Sequence, residues 1–377
     1  RYTGLGVEVR QGHATITSPW TVEIDGKTLS TRAIVIAAGA RPFVPPIPGI
    51  EQVRMLTSDT LWDAEGELGR LLVLGGGPIG CELAQAFAML GVQVTQVEMA
   101  PRVLVREDED ASRLVSDALR AEGVALLTST KALRCEVVAG EQRLIVEAGG
   151  AERAIAFDTL LVAVGRVART EGYGLEKLGI GLTPQRTIAA DAFLQTRLPN
   201  IYVCGDVVGP YQFTHVAAHQ AWYAAVNALF GRFKRYKADY RVIPRVTFTE
   251  PEVARVGLSE TEAKEQGIAV EVVRYGLDDL DRAIADEAAH GHVKVLVVPG
   301  KDRILGATVV GAHAGELLAE FTLAMRHGLG LNKILGTIHP YPTWSEAAKY
   351  TAGEWKRAHV PEQLLGWVAR YHAWERG

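Results

Sequence analysis

A glycine-rich turn between two apolar stretches constrains the fold of this chain more than any other feature. It lies in the run Leu71-Leu72-Val73-Leu74-Gly75-Gly76-Gly77-Pro78-Ile79-Gly80, in which four apolar residues predict a buried strand. The amphipathic segment 81–90 predicts a helix that ends at Gly91, and 92–97 predicts a second strand. With Glu98 at its tip, this order of strand, turn, helix and strand is a dinucleotide-binding fingerprint.

Each position of the turn has a physical task. Gly75 permits the tight turn, Gly77 lets the backbone approach a pyrophosphate, and Gly80 lets the helix and the strand pack closely. The helix begins at Pro78, which has no N–H of its own, and the residues that follow, Ile79 among them, offer backbone N–H groups to the phosphates. The sequence therefore predicts a nucleotide site at this turn.

The acidic residue after the second strand bears on the choice of cofactor. Glu98 can accept hydrogen bonds from an adenosine ribose, and it would repel a 2′-phosphate. Arg102 and Arg106 follow it and could instead bind that phosphate, which would favour NADPH. Because of the acidic residue we expect NAD(H), with NADP the less favoured alternative.

Composition and charge exclude several classes of function. The 377 residues suffice for two or three domains, and 40 basic against 44 acidic residues argue against a nucleic-acid or anionic-membrane surface. No segment approaches the ~20 apolar residues of a membrane helix. Cys81, Cys135 and Cys204 form no C-x-x-C pair, which predicts no metal site and a reducing, cytoplasmic setting. Cys81 and Cys204 are expected in the core.

Apolar runs that end in glycine recur outside the fingerprint. The runs at 33–39, 159–165 and 200–205 have the pattern of buried parallel strands. Residues 1–30 instead alternate polar and apolar side chains, with Asp25-Gly26 as a hairpin signal, and predict an antiparallel meander. Together these patterns predict an α/β fold.

Several of these segments carry a resemblance to a known family. Ala37-Ala38-Gly39 and Ala163-Val164-Gly165-Arg166 resemble its two strand-end motifs, and 196–206 resembles its second flavin motif. Residues 247–257 resemble the opening of its dimerisation domain. In this order the segments resemble the pyridine nucleotide–disulfide oxidoreductases, the FAD flavoenzymes that include dihydrolipoyl dehydrogenase, glutathione reductase and mercuric reductase.

The resemblance implies roles for individual residues. Asp206 corresponds to the aspartate that binds the ribityl chain of FAD, and the helix start after 213 corresponds to the one whose N–H groups face the flavin ring. Glu82 corresponds to a glutamate near the nicotinamide and the flavin, or is simply a first-turn acid that suits the helix dipole. The flavin-site positions implied in this way are Gly39, Gly165, Asp206, His215, Val216 and Ala217.

Two parts of the family's sequence have no counterpart here. These are the FAD-binding glycine loop and the C-x₄-C redox pair, which in the family precede the region matched by this chain. We therefore expect Arg1 to lie downstream of both, in a truncated form of a parent protein that binds FAD. The chain alone is expected to lose FAD and to be inactive on disulfides, since one sulfur must exchange with substrate while the other contacts flavin.

The segment 337–346 resembles the family's H-P-T-x-x-E sequence, which supplies a His–Glu pair to the partner subunit's disulfide site. Aligned on Glu346, the acid–base position holds Tyr341. Tyrosine, whose ordinary pKa is about 10, is a poor proton shuttle for thiols at neutral pH. Mercuric reductase is similar in having a tyrosine at this position. The C-terminal cysteine pair of mercuric reductase has no counterpart in this chain, since no cysteine follows Cys204. His339 either reaches the acid–base site, where Tyr341 takes the place of the family's histidine, or is a buried structural histidine.

The predicted architecture is a Rossmann-like dinucleotide-binding domain, a partial FAD domain and an α+β dimerisation domain. A homodimer built on about 240–350 is expected, without nucleic-acid or membrane partners. The expected segments are an FAD-domain remnant 1–68, an NAD(P)-binding domain 69–166, a second FAD segment 167–239, a dimerisation domain 240–352 and a helical tail 353–377.

The predicted function is transfer of electrons from NAD(P)H to FAD and then to a disulfide or metal–thiolate acceptor, as in mercuric reductase. Tyr341, Glu346 and His339 are its expected catalytic residues. Three alternatives stay open: a dihydrolipoyl dehydrogenase-like enzyme, a flavoprotein that reduces an acceptor without a disulfide, and a non-catalytic NAD-binding dimer.

Overall fold

The computed structural model describes all 377 residues, which form two compact units. The first unit contains Arg1–Val44 and Gly165–Tyr240, and the second contains Pro45–Val164 and Arg241–Gly377. None of the helices has the length and apolar character needed to cross a membrane.

The strands and α-helices are numbered in chain order. The strands are β1 (Ala14–Ser18), β2 (Thr21–Ile24), β3 (Lys27–Ser30), β4 (Ile34–Ile36), β5 (Ala40–Pro42), β6 (Met55–Thr57), β7 (Leu71–Leu74), β8 (Val94–Val97), β9 (Ala125–Leu127), β10 (Thr130–Val138), β11 (Glu141–Ala148), β12 (Ala151–Phe157), β13 (Thr159–Val162), β14 (Arg166–Ala168), β15 (Ile201–Val203), β16 (Pro244–Thr247), β17 (Glu252–Gly257), β18 (Glu271–Gly276), β19 (His292–Val297) and β20 (Ile304–Gly311). The helices are α1 (Pro78–Met89), α2 (Glu109–Ala121), α3 (Thr214–Phe230), α4 (Glu260–Glu265), α5 (Asp281–Ala285), α6 (Ala314–His327), α7 (Leu331–Leu335), α8 (Glu346–Ala358) and α9 (Glu362–Glu375).

The first unit contains three small sheets and the helix α3. β1, β2 and β3 form the expected antiparallel meander, and Asp25 and Gly26 in the β2–β3 turn have φ of 50° and 73°, as tight hairpin turns require. β4 pairs in parallel with β15, and β5 pairs in antiparallel with β14. Ile36, Ile188 and Val203 are buried in the core of this unit.

A five-stranded parallel sheet surrounds the glycine turn in the second unit, in the order β6-β13-β7-β8-β9. Every residue of β7 and β13 is buried, which explains why all of them except Thr159 are apolar. α1 has Pro78 in its first turn, where a missing N–H costs nothing, and ends just before Gly91, whose φ is 86°. The strands β10, β11 and β12 form a separate antiparallel sheet.

The second unit also contains an antiparallel sheet, in the order β16-β17-β20-β19-β18. α4 begins with a capping box, in which Ser259 and Glu262 each accept a hydrogen bond from the other's backbone N–H. α6, α7 and α8 contribute Phe321, Leu331 and Trp355 to the apolar core of this sheet. The mixture of sheet and helices is the α+β arrangement predicted for this region.

The structure divides the chain at other residues than the sequence predicted. Residues 45–68, expected in the FAD remnant, belong to the second unit because β6 pairs with β13 at the edge of its parallel sheet. The tail expected from 353 begins inside α8, whose Trp355 is buried with the preceding domain. Both differences arise from long-range contacts of short segments, which leave no local sequence pattern.

Candidate functional site

The glycine turn has the geometry of a phosphate cradle. Gly75 has φ 116°, and a Cβ there would lie 2.5 Å from the carbonyl oxygen of Ala163. A Cβ at Gly80 would overlap the carbonyl oxygen of Gly75. Gly77, in contrast, has φ −76°, and a Cβ there would meet no protein atom within 4 Å. The first two glycines are therefore required by the protein itself, whereas the space in front of Gly77 is open to a ligand.

The carboxylate of Glu98 lies against this turn. It accepts hydrogen bonds from the N–H of Gly76 at 2.5 Å and from that of Ala100 at 2.6 Å. The guanidinium of Arg102 donates to the carbonyls of Leu104 and Val105 and so has partners of its own. This arrangement places a negative charge, rather than a positive one, next to the glycine turn.

The loop behind the acidic residue is held by a buried ion pair. The N–H of Leu104 donates to the carbonyl of Gly76 at 2.8 Å, which ties the loop to the turn. Arg255, only 1% exposed, donates to the carbonyl of Arg106 at 2.8 Å and to the carboxylate of Glu107 at 2.6 Å. Burial raises the pKa of Glu107, and the charge of Arg255 opposes that rise. Arg255 lies on β17, so the antiparallel sheet supports the nucleotide loop.

Two side chains fasten α1 to the segment before β17. Glu82 accepts a hydrogen bond from the N–H of Phe248 at 2.8 Å, and burial raises the pKa of its carboxyl group. The side-chain amide of Gln85 donates to and accepts from the backbone of Glu250, at 2.7 Å in both bonds. Glu82 thus has a structural contact, in addition to the cofactor role implied by resemblance.

The flavin-type motifs lie together in the first unit. Gly39 has φ 68° and Gly165 has φ 128°, and a Cβ at either position would meet nothing within 4 Å. Burial raises the pKa of Asp206, while the positive charge of Arg166 lowers it. A cavity of about 1080 Å³ lies in this unit and is lined in part by Arg166 and by Ala38, which precedes Gly39.

The N-terminus of α3 has fewer backbone N–H groups available to a ligand than its sequence suggests. The side chain of Val216 is buried, and the N–H of Ala217 already donates to the carbonyl of Phe213 at 2.9 Å. The His215 ring stacks on that of Phe213, with centroids 5.2 Å apart. The N–H of Ala217 is therefore satisfied within the first turn of α3.

The C-terminal segment places Tyr341 and His339 in separate contacts. The hydroxyl of Tyr341, a residue 69% exposed, donates to the carboxylate of Asp281 at 2.9 Å, and this hydrogen bond raises the pKa of Tyr341. The His339 ring lies between the carboxylate of Glu320, 3.0 Å from Nε2, and the carbonyl of Thr337, 3.0 Å from Nδ1. Both ring nitrogens of His339 are thus occupied by contacts within the chain.

Glu346 makes its hydrogen bonds to other residues than Tyr341 and His339. It is 3% exposed, accepts a hydrogen bond from the N–H of Thr343 at 3.2 Å, and accepts another from the hydroxyl of Tyr350 at 3.1 Å. No His–Glu pair of the H-P-T-x-x-E kind is formed within the chain.

Sequence reasoning missed Asp281 and Glu320 as partners in this region. Asp281 is exposed, begins α5 and accepts the hydrogen bond of Tyr341. Tyr341 and Asp281 are 60 positions apart in the sequence, and His339 and Glu320 are 19 apart, so no local sequence pattern predicts either contact.

All three cysteines are buried, and none of them forms a disulfide. Burial raises the pKa of the Cys81 thiol to about 12 and that of the Cys135 thiol to about 11, and it also raises the pKa of Cys204. The prediction that Cys81 and Cys204 are core residues is confirmed. No group of three or more His, Cys, Asp or Glu side chains is arranged to hold a metal ion.

The chain combines a glycine turn of the dinucleotide-binding type with a second set of glycine motifs and an α+β domain. Together these features define the class of oxidoreductases that bind two dinucleotides. Comparison with known families agrees with this. Residues 2–221 match the model of the pyridine nucleotide-disulphide oxidoreductases, and 243–352 match the model of the dimerisation domain of the same family. The chain belongs to the pyridine nucleotide-disulphide oxidoreductase family, whose members depend on FAD and NAD(P).

Individual relatives carry two different names. The chain is 38% identical over 352 residues to dihydrolipoyl dehydrogenase of Thermus scotoductus, with 91% of this chain and 74% of that protein covered. It is 34% identical over 347 residues to mercuric reductase of Staphylococcus aureus, with 92% of this chain but only 63% of that protein covered.

Solved structures show the same fold. The HOCl-induced flavoprotein disulfide reductase RclA from Escherichia coli superposes with a TM-score of 0.83 at 29% identity, over 92% of this chain and 79% of that one. LpdA from Mycobacterium tuberculosis gives a TM-score of 0.83 at 26% identity, over 95% and 79%. The predicted fold class and family are confirmed, and the protein is an oxidoreductase of this FAD- and NAD(P)H-dependent kind.

Proposed function

We propose that the protein is an NADH-dependent reductase whose acceptor is a metal ion held by thiolates, in the manner of mercuric reductase. The observation that carries the acceptor class is the contact between Tyr341 and Asp281. A tyrosine whose pKa is raised keeps its proton at neutral pH, so its hydroxyl is a hydrogen-bond donor and not a base. Reduction of a disulfide needs a group that takes up and returns a thiol proton, whereas reduction of a bound metal ion does not.

The neighbouring groups support the same proposal. Glu346 is occupied by its own N–H and hydroxyl partners, and His339 is held by Glu320 with its ring nitrogens facing acceptors. Neither group is free to replace the missing acid–base histidine. We therefore assign Tyr341 to the acceptor site, Asp281 to the orientation of its hydroxyl, and His339 and Glu346 to holding the segment in place.

The donor is proposed to be NADH from the position of Glu98. Its carboxylate is fixed beside the glycine turn by two backbone N–H groups, where an adenosine ribose would lie over a dinucleotide bound at Gly77. A 2′-phosphate at that place would meet a negative charge with no arginine positioned to compensate it within the turn.

The flavin-type motifs fit an FAD. Gly39 and Gly165 leave open space where a side chain would stand, and Asp206 is a partly buried carboxylate in the same unit. When bound, FAD supplies the two-electron relay between nicotinamide and acceptor. The residues of this chain bind and orient it: Asp206 accepts hydrogen bonds from a ribityl chain, and the first amides of α3 present a helix N-terminus.

We also propose a homodimer formed through the dimerisation domain at 243–352. Tyr341 lies in that domain and is largely exposed, as a side chain that serves a partner subunit must be. The proposal is supported by the family's arrangement, in which this segment acts on the other subunit.

The test compares acceptors at fixed NADH. The purified protein is supplied with FAD, because this chain is expected not to retain it by itself. It is then given either oxidised lipoamide or a mercury(II) dithiolate, for which one NADH and one proton yield NAD⁺, metallic mercury and two thiols. We expect faster NADH consumption with the mercury compound, and at least a tenfold lower kcat/KM with it for Tyr341→Phe. Tyr2→Phe, which removes an equally exposed phenol in the other unit, is the matched control. Faster turnover of lipoamide, or a Tyr341→Phe variant that equals wild type, would contradict the acceptor assignment.

The second candidate function is dihydrolipoyl dehydrogenase-like oxidation and reduction of a lipoyl disulfide. It is favoured by the 38% identity to the Thermus scotoductus enzyme over 352 residues. The lipoamide arm of the same experiment distinguishes the two candidates, because it requires the thiol acid–base step that Tyr341 is least suited to perform.

A further inference from the structure

The last helix of the chain presents an uncovered aromatic face. α9 contains no buried residue, and Trp367, Tyr371 and Trp374 are 60%, 44% and 77% exposed. Their spacing of four and three residues puts them on one side of the helix, together with Leu364 and Val368. The rings of Trp367 and Tyr371 stack with centroids 6.2 Å apart, and those of Tyr371 and Trp374 lie 6.1 Å apart. We call these five residues the aromatic face.

The segment that precedes α9 is held in place by the core of the antiparallel sheet. Trp355, near the end of α8, is buried in the core of the antiparallel sheet and stacks on His359 with ring centroids 4.4 Å apart. The Nδ1 atom of His359 in turn donates to the carbonyl of Trp355, 2.9 Å away, and its Nε2 atom lies 3.4 Å from the carboxylate of Glu271. α9 follows three residues later, so its starting point is fixed by the domain matched at 243–352 while its own sequence lies beyond that match.

A helix of this length is not stable in isolation. Fourteen residues are marginal for an isolated helix in water, and most helical stability in proteins comes from packing of an apolar face. The side chains within α9 add exposed hydrogen bonds from Tyr371 and His372 to the carboxylate of Glu375. Another runs from Arg370 to the carbonyl of Gly366, and each of these bonds adds little to the stability of a helix. The aromatic face therefore calls for a surface to cover it.

Such a face can be covered by an anionic membrane or by another protein surface, and charge and area decide between the two. Anionic membranes bind amphipathic helices whose polar face is rich in lysine and arginine, whereas α9 carries a single arginine, Arg370, against Glu362 and Glu375. The three rings, each worth about 150–250 Å² when fully buried, still expose on the order of 350 Å². This is about half of the ~800 Å² per partner that a stable interface needs. Such a patch must therefore extend another interface.

We propose that the aromatic face of α9 packs on a second copy of this chain and extends the dimer interface of the domain from which the helix departs. The proposal rests on the homodimer put forward above. In a two-fold symmetric dimer each copy contributes the same patch, so both helices are covered at once. The contact adds apolar area to the interface without adding charge.

The experiment uses three versions of the full chain. The aromatic-face variant is Trp367→Ala, Tyr371→Ala and Trp374→Ala together, and the control is Glu362→Gln with Arg376→Gln, at the two ends of the helix on the side away from the aromatic face. Sedimentation equilibrium over a dilution series gives the dimer dissociation constant of each. We expect at least a tenfold higher constant for the aromatic-face variant and an unchanged constant for the control. Amide exchange over 362–375 should be protected in the wild-type dimer and unprotected in the aromatic-face variant.

The outcomes separate this proposal from the one on which it rests. A wild-type chain that is monomeric at all concentrations contradicts the homodimer itself. A wild-type dimer with equal constants for all three versions, or with unprotected α9 amides, overturns only the role of α9. Loss of binding to phosphatidylcholine–phosphatidylserine vesicles in the aromatic-face variant, with its dimer unchanged, would also overturn it and make α9 a lipid-binding helix.

Discussion

Replacement of Gly77 by alanine separates nucleotide binding from folding. The residue has φ −76°, which any residue adopts, and a Cβ there would meet no protein atom within 4 Å. Alanine allows the unfolded chain fewer conformations than glycine does, which stabilises the folded variant by about 0.4–1 kcal/mol. Alanine at the N-cap of α1 costs a similar amount relative to glycine. These two effects nearly cancel, so the free energy of unfolding should change by less than about 1 kcal/mol.

The effect on NADH should be much larger. The added methyl group points into the open space where the pyrophosphate approaches the turn, and it separates the phosphates from the N–H groups of α1. Each charge-assisted hydrogen bond lost in this way is worth about 1.5–3 kcal/mol, which corresponds to about a 10- to 150-fold change in Kd. We expect Gly77→Ala to weaken binding by at least tenfold and Gly77→Val to abolish it.

Gly80→Ala is the contrasting variant. Its Cβ would overlap the carbonyl oxygen of Gly75, and backbone cannot move aside as a flexible side chain does, so we expect about 1–3 kcal/mol of destabilisation from overpacking. Gly181→Ala, whose Cβ also meets no atom within 4 Å but which lies in the other unit, controls for the substitution itself. Calorimetric titration with NADH and urea unfolding give the two quantities. The reasoning fails if Gly77→Ala binds NADH like wild type, or if it loses as much stability as Gly80→Ala.

Three further perturbations test other parts of the structure. Glu98→Arg should move the ratio of the NADH and NADPH dissociation constants at least tenfold toward NADPH, with Glu98→Gln as control, and an unchanged ratio would show that this residue does not face the ribose. Arg255→Met leaves the carboxylate of Glu107 buried without its nearest cation, so urea unfolding at pH 7 should show a loss of about 3–5 kcal/mol. The loss should shrink as the pH falls, because the raised pKa of Glu107 allows its carboxyl group to become neutral. Arg120→Met, which breaks an exposed ion pair with Asp117, should cost under about 1 kcal/mol. The Cys81 thiol, whose pKa burial raises to about 12, should react with a disulfide reagent at pH 8 only after unfolding, and rapid reaction of the native protein would contradict its placement in the core.

The parts of the site that the sequence predicted are those made by neighbours in the chain. The glycine turn, the buried strand before it and the helix after it are all set by residues within one βαβ unit, and the structure has them where the patterns placed them. Helix α3 and the meander with its Asp25-Gly26 turn were likewise predicted from local periodicity and turn chemistry. Local patterns suffice there because the apolar spacing itself specifies which face is buried.

The parts that the sequence left open depend on residues far apart in the chain. His339 was left between two interpretations until its ring was found between Glu320 and Thr337. The unit boundary moved from 68 to 44 because the three residues of β6 join the parallel sheet. Neither outcome follows from composition or spacing, since both are decided by which distant partner is geometrically within reach.

The sequence by itself determined the family, the α/β fold and the position of the glycine turn between β7 and α1, because glycines and apolar runs act through their immediate neighbours. Only the tertiary structure decided that Tyr341 donates to Asp281, that Glu98 accepts from the turn, and that Arg255 supports the loop behind it. The physical reason is that a hydrogen bond or ion pair depends on distances of about 3 Å between particular atoms. Such distances are fixed only when the sheets and helices have packed.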